Sequence, residues 1–154
     1  MKKIILTIIL IIISFNTKIL ADNIKVIDGD TIIINKEKIR FSGIDTPELK
    51  QTCKKNNKTY YCGLKAKKVL IKKIGINVPK CIKEWKDIYK RTLAECFVNG
   101  MSLSTFLVRN GYAFAYRKYS NKFIKDEEFA KANNLGMWSM KFQYPWEYRK
   151  STNY

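Results

Sequence analysis

Five carboxylates and one arginine fall within 23 residues of this chain, Val26–Glu48, which reads VIDGDTIIINKEKIRFSGIDTPE. Beside Glu37 in a polar turn, the acids are Asp28, Asp30, Asp45 and Glu48, and the arginine is Arg40. Acids are scarce elsewhere: the whole chain has 13 Asp and Glu against 30 Lys and Arg, a net charge of +17. A basic chain that gathers its acids in one stretch is building a cation site rather than a solvated face. In an extended strand Asp28 and Asp30 point to the same side, about 7 Å apart. Asp45 ends a following strand that can pair beside them. Hard oxygen donors of this kind suit Ca²⁺ or Mg²⁺. Arg40 can grip a phosphate bidentately. Glu48, three residues beyond Asp45, can orient or deprotonate a water. Divalent ion, arginine and carboxylate base are the parts needed for in-line attack on a phosphodiester. Each residue also has a plainer reading: Asp-Gly is a common turn pair, Asp45 before Thr-Pro can cap a turn, and Arg40 can be a strand-edge residue. Those readings weaken jointly, because they require the cluster to be an accident.

The chain has no histidine. That excludes Ser-His-Asp and Cys-His nucleophiles, histidine bases and zinc-protease motifs, and leaves carboxylates, Arg, Lys, Tyr or a metal to do any chemistry. The excess of positive charge calls for an anionic partner, nucleic acid or a membrane surface.

The elements that must position the acids follow from pattern. Residues 1–21 have a basic start, an apolar run from Ile4 to Phe15 and Ala21 before Asp22, the layout of a signal peptide; the run is too short to span a bilayer. An exported protein, secreted or periplasmic, is expected, with an uncleaved N-terminal membrane anchor as the alternative. Residues 22–154 then form one domain. They carry 27 Lys and Arg against 13 acids, a net charge of +14. The four cysteines, Cys53, Cys62, Cys81 and Cys96, lack zinc-knuckle spacing, and export with an even count favours two disulfides. Three pairings are possible; the preferred one joins Cys53 to Cys62 across a short loop and Cys81 to Cys96 across a hairpin. The hairpin register supports the second pair if the turn centres near Ile88–Tyr89.

Three short antiparallel strands are expected over 23–27, 31–35 and 38–44, and a polar loop over 49–61. A helix follows over 64–74, ended by Gly75, then a second strand pair over 76–82 and 91–98. Further helices are expected at 102–110 and 121–135, the latter capped by Ser120. The aromatic tail with Trp138, Tyr144, Pro145 and Trp146 should pack back on the body. Strands around a compact core with helices between and after them suggest a small barrel of the OB type, a fold that commonly binds nucleic acids.

IDGDT at 27–31, IRFSGIDTPE at 39–48 and DIYKR at 87–91 resemble the staphylococcal nuclease (thermonuclease) family in order and spacing. The resemblance continues through LAEC at 93–96, NGMSLSTFLVRNGYA at 99–113 and Gly136–Trp138, so it covers nearly all of 23–146. It implies an α+β, mainly β fold, a five-stranded OB-type β-barrel with three α-helices, and Ca²⁺-dependent hydrolysis of DNA and RNA. It also implies roles: Asp30, Asp45 and the Thr46 carbonyl as calcium ligands, Glu48 as general base, and Arg40 and Arg91 on the phosphate. Asp28 would be a nearby acid outside the ligand set. Tyr89, Tyr116 and Tyr119 would flank the nucleotide. One departure is visible. The family's D-x-Y-G-R loop has Lys90 in place of glycine, a strained choice if that position needs positive φ, though the added cation could help hold a polyanion. The expected protein is a monomer acting on DNA or RNA with little sequence preference; the alternative is a non-catalytic OB module that binds single strands through tyrosine faces and lysines.

Overall fold

A computed structural model describes residues 23–152. The expected signal peptide lies outside the described residues.

The chain opens with a three-stranded meander: β1 (Ile24–Val26), β2 (Thr31–Ile34) and β3 (Glu37–Phe41). Asn35 and Lys36, both at positive φ, turn β2 into β3 in register, with Ile34 opposite Glu37. Two central residues at positive φ match the twist of a two-residue hairpin, and Asn tolerates that region better than most. β4 (Ile44–Asp45) follows directly and pairs with β10 (Phe114–Ala115), Phe114 lying opposite Asp45.

The expected loop over 49–61 is instead a hairpin, β5 (Thr52–Lys55) and β6 (Lys58–Tyr61). Asn56 and Asn57, both at positive φ, make its turn. Seven of its eight strand residues are exposed, so no apolar alternation announces it. The eighth, Cys53, is buried and bonded to Cys62.

Cys62 also opens helix α1 (Cys62–Ile74), which buries Ala66, Leu70 and Ile74 and ends at Gly75 with φ of 57°. β7 (Lys80–Lys86) and β8 (Thr92–Val98) form the second hairpin, with Cys81 directly opposite Cys96 and the two joined. Both preferred disulfides are therefore present. An irregularity between Lys83 and Lys86 shifts the register near the turn. β8 runs parallel to β3, Arg40 level with Leu93, which completes a sheet in the order β1-β2-β3-β8-β7. β9 (Met101–Ser102) adds to β8 through a turn at Asn99-Gly100.

Ser102 caps α2 (Leu103–Arg109), its hydroxyl accepting from the Thr105 amide. α3 covers Ile124–Ala132, shorter at both ends than expected. A 3-10 turn at Gly136–Ser139 leads to α4 (Pro145–Thr152), a fourth helix where the sequence suggested only an aromatic tail. The result is the expected α+β, mainly β architecture of OB type. One core packs Ile32, Ile39, Phe41 and Ile44 against α1 and α2. A second gathers the Cys53–Cys62 bridge, Phe114 and Met137 under Trp138, Phe142, Tyr144 and Trp146, so the tail does pack back.

Candidate active site

The acids meet where β2, β3 and β4 end. Asp28, Gly29 and Asp30 turn the chain from β1 into β2, and the Asp28 carboxylate accepts from the Asp30 amide at 3.0 Å. Gly29 is required there by close approach: a Cβ would stand 2.8 Å from the Thr46 hydroxyl oxygen. That contact brings Thr46 onto the turn, where its amide and hydroxyl each donate to Asp30 Oδ2 at 3.0 Å. Thr31 Oγ1 donates to Asp30 Oδ1 at 3.1 Å.

Arg40 projects from β3 between two buried carboxylates. Its Nη1 lies 2.5 Å from Asp30 Oδ1 and its Nη2 2.9 Å from Asp45 Oδ1. Asp30 and Asp45 retain 3% and 1% of their side-chain exposure, so neither charge is screened by water and each must be balanced by a partner. Burial pushes the Asp28 carboxyl up from 3.8 to about 6, with the Asp30 charge adding to it and the Asp30 amide and Arg40 opposing. Burial also raises Asp45, against the hydrogen bond from Arg149. Burial alone would lower Arg40; Asp30 and Asp45 overcome it and hold the guanidinium firmly charged.

Arg149, on α4, closes the cluster from the far end of the chain. Its Nη2 donates to Asp45 Oδ2 at 2.7 Å and its Nη1 to Glu48 Oε1 at 2.8 Å, with a longer 3.3 Å contact to Asp45 Oδ1. Sequence reasoning missed this residue, whose partner stands 104 positions away. A weak signal existed: Pro145 at a helix start, Glu147 in the first turn, and Arg149 and Lys150 in the last are helix-terminus chemistry.

Glu48 is held from behind as well. Its amide donates to Gln51 Oε1, its carbonyl accepts from the Gln51 amide, and the Gln51 carbonyl accepts from the Cys62 amide. The Gln51 side chain in turn donates to the Gln143 carbonyl, so the loop after Pro47 is tied to both α1 and the tail.

Six of the residues singled out from sequence are thus brought together: Asp28, Asp30, Arg40, Asp45, Thr46 and Glu48. Tyr116 joins from the side, because β10 pairs with β4 and the Tyr116 amide donates to the Gly43 carbonyl. Its ring stacks on Trp146 with centroids 5.7 Å apart, and Tyr119 meets it edge-on at 5.0 Å. An open cleft beside the acids is lined by Ala115, Tyr116, Arg117, Lys118, Trp146 and Lys150. Glu127 fixes its floor, accepting from the Ala115 amide and pairing with Arg117.

Tyr89, Lys90 and Arg91 sit apart, on the β7–β8 turn. Among the described residues Arg91 bonds to Asp87, through Nε at 2.7 Å and Nη2 at 2.6 Å, and its guanidinium lies 5.3 Å from the Tyr89 ring centre. Strand alternation puts Arg91 on the same side of the sheet as Arg40, about 7 Å further back along the strand. Lys90 does adopt positive φ, 60°.

Among the described residues no three His, Cys, Asp or Glu side chains surround a common ion position, because the two guanidinia stand between the acids. The donor chemistry nevertheless suits a hard divalent ion. Asp30, Asp45 and the Thr46 backbone offer oxygen only, and burial with the Asp30 charge raises Asp28 beside them, as expected of a site with room for more positive charge.

The sequence profile described as "Staphylococcal nuclease homologue" matches residues 38–140. The chain belongs to the staphylococcal nuclease family. Within it, the chain is 31% identical over 123 residues to an uncharacterized endonuclease of Haemophilus influenzae, covering 75% of this chain and 64% of that protein. It is 33% identical over 128 residues to the SPbeta prophage-derived endonuclease YokF of Bacillus subtilis, covering 75% of this chain and 42% of YokF. The staphylococcal-like nuclease CAN1 of Arabidopsis thaliana is 28% identical over 126 residues, covering 80% of this chain and 36% of CAN1. The chain therefore spans less than two thirds of each of these relatives. The family profile ends at Met140, before α4 begins, so Arg149 and Trp146 lie outside the matched region.

Proposed function

We propose that this member of the staphylococcal nuclease family is an exported, Ca²⁺-dependent nuclease that hydrolyses phosphodiesters of DNA or RNA with little sequence preference. The observation that carries the reading is the meeting of Asp30, Asp45, Glu48 and Arg40 in one buried cluster of an otherwise strongly basic chain. Asp30, Asp45 and the Thr46 carbonyl would hold the ion, which supplies charge neutralisation and polarisation of a phosphoryl oxygen. Glu48, fixed by the Gln51 bonds, takes the proton of the attacking water as its oxygen bonds to phosphorus. The leaving oxygen departs in line with its electron pair and is protonated from solvent. Arg40 neutralises charge on the phosphoryl oxygens, and Arg91 does so from the β8 side once it shares its Asp87 bond with the phosphate. Asp28 adds negative charge beside the ion without ligating it. Tyr89 and Lys90 on the hairpin, with Tyr116 and Tyr119 at the cleft, contact the nucleotide. Lysines on phosphates position a polyanion without reading sequence. Two disulfides and an apolar leader suit an oxidising compartment.

A second reading has one observation in its favour. The Tyr116–Trp146 stack, flanked by Arg117, Lys118 and Lys150, suits a single-strand binding module. Such a module has no use for the buried acids.

The deciding experiment incubates purified protein with single- and double-stranded DNA and with RNA, in Ca²⁺ and in chelator. Calcium-dependent cleavage, lost by about 10²–10⁴-fold in Glu48→Gln, is expected. Binding without cleavage under every condition would establish the second reading instead.

A further inference from the structure

Asp30 accepts four hydrogen bonds: Arg40 and Thr31 on Oδ1, and the Thr46 amide and hydroxyl on Oδ2. A carboxylate has about four lone-pair sites, so Asp30 is full. Asp45 accepts from Arg40 and twice from Arg149. A divalent ion cannot take an oxygen from each of these acids unless a donor gives way. The donors differ in what they would lose by moving. Thr31 and Thr46 are buried and belong to the strand and turn that form the site. Arg40 is wedged between both acids with 17% of its side chain exposed. Arg149 is 30% exposed, reaches in from α4, and is held on the acids only by its guanidinium.

We propose that Arg149 is a tethered cation of the carboxylate site: it covers oxygens of Asp45 and Glu48 that a divalent ion and its water need, and the ion binds by displacing it, while on Asp30 one of the present donors cedes its place to the ion in the same event. The inference rests on the cation-dependent reading above. It makes α4 part of the ion site, although α4 contributes no ligand. The released guanidinium stays beside the ion, where a phosphodiester is the next anion to arrive.

The alternative role for the same contacts is that Arg149 holds Asp45 and Glu48 ready for the ion. The two roles change calcium affinity in opposite directions. Calorimetric titration of Ca²⁺ into the full protein without nucleic acid separates them, using wild type, Arg149→Met, Arg149→Lys and Lys150→Met at one ionic strength. Displacement predicts that Arg149→Met binds Ca²⁺ about tenfold tighter or more, as expected when a charge-assisted bond no longer has to break. Arg149→Lys, which keeps a cation but not the fork, should fall between and also guards against an unfolded Met variant. Lys150→Met removes an equal charge one residue away and should change affinity little. Binding by Arg149→Met that is equal to or weaker than wild type overturns the proposal, as does an equal gain in Lys150→Met, which would mean a general field effect. If wild type binds and the variants do not tighten, Arg149 alone is misassigned. If neither wild type nor Arg149→Met binds millimolar Ca²⁺, the cation-dependent reading falls with it.

Discussion

The carbonyl oxygen of Glu48 lies where a side chain of Gly63 would begin: a Cβ at Gly63 would stand 1.9 Å from it and 2.7 Å from the Pro47 carbonyl oxygen. The first turn of α1 is thus the back wall of the loop that presents Glu48. Gly63→Ala has no flexible neighbour to push aside, only backbone. It should cost about 1–3 kcal/mol of stability as an overpacking change. Because the displaced segment carries the proposed base, cleavage should also fall by about tenfold or more, as about an ångström of misplacement can do. Gly75→Ala is the comparison. Gly75 has φ of 57° and no foreign atom closer than 3.8 Å, so its variant should lose about 1–2 kcal/mol and keep its cleavage rate. Urea unfolding and steady-state cleavage on both variants check the pair.

Asp28 predicts a pH dependence whose sign is fixed by its environment. Its carboxyl titrates near 6 in the folded chain against 3.8 as the ordinary value, chiefly through burial. Between those values the folded state binds more protons than the unfolded one, so this group's contribution to stability falls as pH rises through the window. Asp28→Asn keeps an oxygen to accept from the Asp30 amide and removes the titration. In chelator the variant should match wild type near pH 4 and be more stable by about 1–3 kcal/mol at pH 7. Chemical denaturation at the two pH values reads the difference, and equal pH profiles for the two proteins would refute the assignment.

What could be read from sequence was whatever the chain encodes within a few residues. Asp28-Gly29-Asp30, the Asn35 and Asn99 turns and the strand of Arg40 all declare themselves through spacing or turn chemistry. So does the Cys81–Cys96 register, although near the turn Lys86 faces Thr92 and the irregularity between Lys83 and Lys86 takes up the one-residue difference. The β5–β6 hairpin escaped because both of its faces meet solvent, which removes the alternation that marks a strand; its Asn56-Asn57 turn was the only local sign. Helix α4 escaped because tertiary stacking holds it: Trp146 lies flat against Tyr144 at 4.6 Å and against Tyr116 at 5.7 Å. With it went Arg149, whose place on Asp45 and Glu48 is a product of that docking and of no local pattern.

Lys90 occupies a position that favours glycine, with φ of 60° at the exposed end of the β7–β8 turn. The left-handed conformation costs a side-chain-bearing residue about 1–2 kcal/mol, while glycine gives back about 0.4–1 kcal/mol through its freer unfolded state. Lys90→Gly should therefore raise stability by a net of up to about 1.5 kcal/mol. Asp87 clamps Arg91 through its backbone amide and its guanidinium, and neither bond involves Lys90. The strained lysine thus leaves Arg91 where Asp87 puts it. If Lys90 contributes only a phosphate contact, the glycine variant should show a shallower salt dependence of nucleic-acid binding, by about one unit of slope, with turnover at saturating substrate unchanged. Loss of turnover would instead tie the conformation of residue 90 to the placement of Arg91.

Trp146 links the two halves of the site, because the ring that lines the cleft is also the ring that docks α4. It stacks on Tyr144 and Tyr116 and meets Phe114 edge-on at 6.2 Å, while Arg149 leaves the same helix one turn later. Trp146→Ala should weaken single-strand binding by about 1–3 kcal/mol if a base uses the stack. It should also loosen the helix that carries Arg149 and so tighten Ca²⁺ binding, as Arg149→Met does. The two substitutions then act through one event and cannot add: the double variant should bind Ca²⁺ no more tightly than Arg149→Met alone. A calcium titration of the four proteins in that cycle tests it. Additive gains would mean that Trp146 and Arg149 reach the ion site independently, and that α4 is not the unit that delivers the guanidinium.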